Sequence, residues 1–196
     1  MKFLTKFQAI LMVVTLVGFL LPPNKTMAAD HDGLFIQAGL YEVFDTGMSG
    51  TGGLFVLGPG AHFGIGYNMG TIGIRPSFYY GSLGNNVLLA GGSSDIFGGS
   101  LDGLIYFLDL MNYKNDWTKY IEPYLVFGVG GYHVSAGDLP AFGGRAGFGF
   151  NLNISDSISF GVETGIRPLL LVSGGSSTDL ILYDLMGMLT FRPGSK

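Results

Sequence analysis

The sequence predicts an all-β protein, an eight-stranded antiparallel up-and-down transmembrane β-barrel. Three observations carry that expectation. The mean hydropathy is positive, yet charged residues make up only 12% of the 196-residue chain and glycine alone supplies 34 positions. Past the N-terminus, no apolar run reaches the roughly 20 residues that a membrane-crossing helix needs. What the chain has instead is eight segments of period-2 alternation, punctuated by Gly, Asn, Asp, Ser and Pro.

Residues 1–29 read as a cleavable signal peptide, and 30–196 as the barrel. Lys2 and Lys6 give a positive start, Ala9 to Leu21 ("AILMVVTLVGFLL") is the apolar stretch, and "NKTMAAD" offers small residues for cleavage after Ala28 or Ala29. Loss of Lys2, Lys6 and Lys25 leaves seven basic residues against 14 acidic ones, a formal charge of −7. With no basic patch, nucleic acid is not an expected partner. The chain has no cysteine, which excludes disulfides and a thiol-linked lipid anchor.

The eight segments fall at about 33–45, 61–70, 71–83, 95–109, 120–135, 141–154, 157–170 and 179–191. Most have the ten or so residues that a tilted strand needs to cross a bilayer. The connections tend to alternate. The stretches 46–60, 84–94, 135–141 and 171–178 are expected outside the cell, although "SAGDLPA" (135–141) is short for an outward loop. The short "NMGT" and "NISDS", the mature N-terminus and Phe191–Lys196 are expected in the periplasm. The join "LMNYKNDWTKY" is long on the short side and breaks the pattern.

Parity decides which face is which. Segment two sets Phe63, Ile65, Tyr67 and Met69 against His62, Gly64, Gly66 and Asn68. Segment six sets Phe142, Gly144, Ala146, Phe148, Phe150 and Leu152 against Gly143, Arg145, Gly147, Gly149 and Asn151. Segment seven sets Ile158, Phe160, Val162, Thr164 and Ile166 against Ser159, Gly161, Glu163, Gly165 and Arg167. Segment eight sets Ile181, Tyr183, Leu185, Leu189 and Phe191 against Leu182, Asp184, Met186 and Met188. A chain with 12% charge cannot cover a water-facing barrel. The large apolar face therefore belongs to lipid, with Phe148, Phe160, Val162 and Leu185 in mid-membrane, and the glycines and charges belong to a narrow interior.

The stretches "IEPYLVFGVGGYH" (121–133), "GGRAGFGFNL" (143–152) and "LYDLMGMLTF" (182–191) resemble the small eight-stranded outer-membrane β-barrels of the OmpA/OmpX type. The resemblance covers nearly all of residues 30–196 and specifies architecture, not activity. It implies residence in the outer membrane of a Gram-negative bacterium. It also implies outer-membrane lipid and lipopolysaccharide as surroundings, and the barrel-assembly machinery as a partner during insertion. Family members commonly end on an aromatic residue. Here Phe191 is in register, but "RPGSK" follows it. "GIRP" occurs at 73–76 and again at 165–168, and a proline inside a strand predicts a local bulge.

Seven charges have inward parity: Arg75, Asp102, Glu122, Arg145, Glu163, Arg167 and Asp184. Arg145, Glu163, Arg167 and Asp184 are expected to form one cluster across segments six to eight. Arg75 and Asp102 should form a second pair, with Glu122 lower down near Lys114 or Lys119. Of the aromatics, Tyr41, Tyr67, Tyr80, Trp117, Tyr120, Phe127 and Phe191 read as girdle or sugar-stacking residues, and Tyr124 as a lumen residue.

No Walker loop, zinc pattern, Gly-x-Ser-x-Gly elbow or calcium loop occurs, so no cofactor, metal or catalytic residue is expected. One group is weighed against that. His133 and Ser135 share outward parity beside Asp95, and a His-x-Ser pair resembles the lipid A deacylases, although Ala136 stands where that pattern has Asn. The expected role is thus structural or surface-interactive: envelope integrity, adhesion, or an extracellular ligand met through the Gly-rich loops 46–60 and 83–95. Two other readings are a narrow ion or small-solute channel and a lipid A deacylase-like hydrolase.

Overall fold

A computed structural model of the chain describes residues 32–45, 56–83, 94–111, 120–135, 138–173 and 176–193. Its strands are β1 (Gly33–Asp45), β2 (Val56–Met69), β3 (Ile72–Leu83), β4 (Ser94–Tyr106), β5 (Ile121–Val134), β6 (Leu139–Asn153), β7 (Ile158–Ser173) and β8 (Ser176–Phe191). Each pairs antiparallel with the next. β1 also pairs with β8, from Ile36↔Phe191 to Asp45↔Leu182, so the sheet closes and leaves no free edge. A four-residue helix, α1 (Phe107–Leu110), follows β4 directly. Among the described residues, no helix is long and apolar enough to cross a membrane.

Several boundaries differ from the sequence expectation. β2 begins at Val56, not 61, and β6 begins at Leu139, so both supposed loops are partly strand. β7 runs to Ser173 and β8 starts at Ser176, paired as far as Ser173↔Ser176, so the expected loop 171–178 is mostly hairpin. The cause is local. From Leu169 to Val172 both faces are apolar, which erases the alternation, and the Ser and Gly residues beyond read as loop. Segment four ends earlier than expected because the chain turns into α1 at Phe107. The tight turn between β2 and β3 depends on Gly70, whose φ of 71° falls where a Cβ is penalised.

The expected proline bulges are absent. The β2–β3 ladder loses its pairing around Pro76, and the β6–β7 ladder around Pro168, but the register is the same on either side of each gap. A missing N–H removes a rung without forcing an extra residue into the strand.

The outer wall is largely apolar. Phe63, Tyr67, Phe78, Leu101, Phe127, Val129 and Phe148 are between 42% and 69% exposed. Each such side chain left in water forgoes about 1.5–3 kcal/mol of burial, which suits the wall to hydrocarbon. Phe160 points outward too, but it lies two residues from the start of β7, at the rim and not at mid-depth.

Candidate functional site: the barrel interior

Alternation turns every second side chain of each strand into the barrel, and the inward glycines leave room for large partners. A Cβ at Gly60 would collide with the Tyr41 ring, and one at Gly81 would lie 2.5 Å from the Tyr41 hydroxyl. Tyr41 is therefore a lumen residue, 1% exposed, and not part of the girdle. Tyr67, Tyr80, Phe127 and Phe191 stay on the outer face, Tyr120 is half-buried beside the start of β5, and Trp117 lies outside the described residues.

The seven inward charges are all buried, with Arg75, Asp102 and Glu163 fully enclosed. Arg75 on β3 donates to Asp102 Oδ2 on β4 at 2.8 Å and, across the bore, to both carboxylate oxygens of Glu163 on β7 at 3.0 and 3.1 Å. Its Nη1 also donates to Gln37 Oε1 on β1 at 2.9 Å. Arg145 on β6 pairs with Glu163, with Asp184 on β8 at 3.1 Å, and with Asp102 at 3.7 Å. Arg167 donates to Asp184 at 2.9 Å, and its guanidinium lies 4.1 Å from the centroid of Tyr79 and 5.1 Å from that of Tyr132. The Tyr124 hydroxyl on β5 donates to Glu163 at 2.8 Å. Three guanidinium groups and three carboxylates thus form a single neutral network, joined by Gln37 and Tyr124, that touches every strand but β2. The two separate groups expected from the sequence are one group here, because Arg75 reaches diametrically across the barrel.

Glu122 sits apart, at the mouth beside the short turns. Its partner is Arg192 at 2.8 Å, with Asn151 donating at 3.0 Å. Lys114 and Lys119, the expected partners, lie outside the described residues. Arg192 is just past β8, and its backbone N–H donates to the Ser157 carbonyl at 2.8 Å, which fixes it against the β6–β7 turn. The sequence signal for Arg192 was available: inward Thr190 puts residue 192 on the same face.

Two clusters of buried, mostly apolar side chains flank the ionic layer. On the side away from the short turns lie Val43, Ile96, Val134, Leu169, Leu171, Leu180 and Leu182, all at most 2% exposed. On the other side lie Phe35, Leu104, Tyr106, Tyr124 and Val126. Low-dielectric packing on both sides strengthens the ion pairs between them.

The His133 group is not assembled as a nucleophile with its base. His133 pairs through Nε2 with Asp138 at 3.1 Å, while the Ser135 hydroxyl accepts the Asp95 backbone N–H at 2.7 Å. The Asp95 carboxylate takes the Tyr80 hydroxyl at 3.3 Å. Among the described residues no group of His, Asp and Glu has metal-binding geometry.

Fold and side-chain arrangement together define an eight-stranded transmembrane β-barrel, with buried side chains packed on its inner face and a largely apolar outer face. Among solved structures, the chain is similar to Neisserial surface protein A (NspA), with a TM-score of 0.57 and 10% identity over 82% of this chain and 97% of that one. It is also similar to the outer membrane protein OprG of Pseudomonas aeruginosa (TM-score 0.49, 12% identity, 85% and 98% covered). A third is Ail, the attachment invasion locus protein of Yersinia pestis (0.46, 15%, 82% and 99%). No family model and no curated protein matches the sequence. The chain has the fold of the small eight-stranded outer-membrane barrels.

Proposed function

We propose that this is an integral outer-membrane β-barrel of a Gram-negative bacterium, exported by the signal peptide of residues 1–29. Its role is structural or surface-interactive, without enzymatic activity, and its lumen is plugged by charge pairs. One observation carries the plug: Arg75, fully buried, is tied to Asp102 on one wall and to Glu163 on the opposite wall. Eight strands leave a bore that side chains fill. An ion could pass only by parting buried ion pairs, each of which would leave a charge uncompensated, and then by crossing two apolar layers.

Planar-bilayer recording of the purified protein tests the plug. Wild type should give no resolvable unitary conductance, and steady ion-selective steps from it would establish the channel instead. Topology is tested on intact cells. Protease or a tag-specific antibody should reach residues 46–55 and not 154–157, and the opposite result reverses the orientation.

A further inference from the structure

Outward side chains near the ends of β3 to β6, opposite the short turns, form one cross-strand row. Tyr80 is beside Phe97, Phe97 beside His133, and His133 beside Pro140. Tyr80 is 49% and Phe97 42% exposed, and the Phe97 and His133 rings lie 4.9 Å apart at 38°. Directly above runs a polar edge. Asp95 and Ser135 are locked together by two hydrogen bonds, Asp95 N–H to Ser135 Oγ at 2.7 Å and Ser135 N–H to the Asp95 carbonyl at 2.9 Å. Asp95 also accepts from Tyr80 at 3.3 Å, and Asp138, 93% exposed, holds His133 at 3.1 Å. The result is a ledge of neighbouring outward rings topped by carboxylate acceptors.

Apart from His133, already paired with Asp138, the ledge has no basic side chain among the described residues. Of the ten basic residues, the four arginines are buried in the lumen and the six lysines belong to segments 1–31, 112–119 and 194–196, none of them a connection at this end. A phosphate or sulfate would meet two carboxylates, Asp95 and Asp138, with no lysine or arginine and only the one already paired imidazole of His133 beside them. An uncharged sugar fits both layers: its C–H face stacks on the rings, and its hydroxyls donate to the carboxylates.

We propose that Tyr80, Phe97 and His133, with Asp95 and Asp138, bind the neutral sugar headgroup of a glycolipid lying beside the barrel in the outer leaflet. The ledge is on the side wall, where a neighbouring headgroup lies, and the proposal rests on the outer-membrane reading above. The test uses the whole mature chain, inserted into phosphatidylcholine vesicles doped with either digalactosyl diacylglycerol or phosphatidylglycerol. Lipid retained after gentle extraction is measured by native mass spectrometry. Wild type should hold the galactolipid over both phospholipids. Phe97→Ala should weaken that retention about three- to tenfold, and Phe97→Tyr should keep it. Heat-modifiable gel migration reports barrel formation separately, so a chain that forms no barrel sinks the membrane reading itself. A well-formed barrel with equal retention of all lipids, with retention of phosphatidylglycerol or dependence on added calcium, or with no loss in Phe97→Ala overturns the sugar site.

Discussion

Glu163→Ala lowers the unfolding free energy of the barrel by about 3–5 kcal/mol, the cost of removing one partner from a buried ion pair. The residue holds both guanidinium groups at once, Arg75 through two bonds and Arg145 through one, and it also accepts from Tyr124. Its loss leaves three arginines facing two carboxylates, Asp102 and Asp184, between two buried apolar clusters. Urea titration in lipid vesicles, followed by heat-modifiable migration, measures the change. The double variant Glu163→Ala with Arg75→Met should recover part of the loss, since neutral packing in place of a buried pair is often tolerated. A Glu163→Ala barrel within about 1 kcal/mol of wild type would show that the network does not hold the lumen shut.

Such a residue was only half legible in the sequence. Period-2 alternation assigns a face, and the short β6–β7 turn sets a register, so Glu163, Arg145 and Asp184 could be placed on one inner patch. Alternation says nothing about distances across the bore. That Arg75 spans from β3 to β7 depends on side-chain length against barrel radius, and the pairing of Arg75 with Glu163 was therefore not readable. Tyr41 failed for a related reason: an aromatic near a strand end reads as girdle until Gly60 and Gly81 are seen to vacate the space beside it. Arg192 was missed because the alternation was cut off at Phe191. Leu169, Leu171 and Leu180 of the buried apolar clusters were not legible because β7 and β8 are hydrophobic on both faces near their hairpin, which hides the period. The outer ledge was legible only as separate residues. Its row, from Tyr80 to Pro140, exists only once three strand registers are known.

The sharpest check on the inside-out arrangement uses two consecutive residues of β6. Phe148 points outward, 42% exposed, opposite Leu125 and Thr164, while Gly149 points inward and is buried. Phe148→Arg places a guanidinium against hydrocarbon, and near mid-depth that costs about 2–4 kcal/mol. The barrel should still close, because the interior is untouched. It should be less stable in vesicles and lose much of that deficit in a detergent whose micelle lets the side chain reach water. Gly149→Arg should fail differently. An added Cβ there would already lie 2.5 Å from Tyr124 Cζ, and the Tyr124 hydroxyl is committed to Glu163. The full side chain overfills the apolar cluster around Tyr124 and adds an unpaired charge beside a neutral network, so closure itself should be lost in lipid and detergent alike. The measurement is the folded fraction on a heat-modifiability gel for both variants in both media. If Phe148→Arg prevents closure in detergent while Gly149→Arg folds normally, the two faces have been assigned the wrong way round.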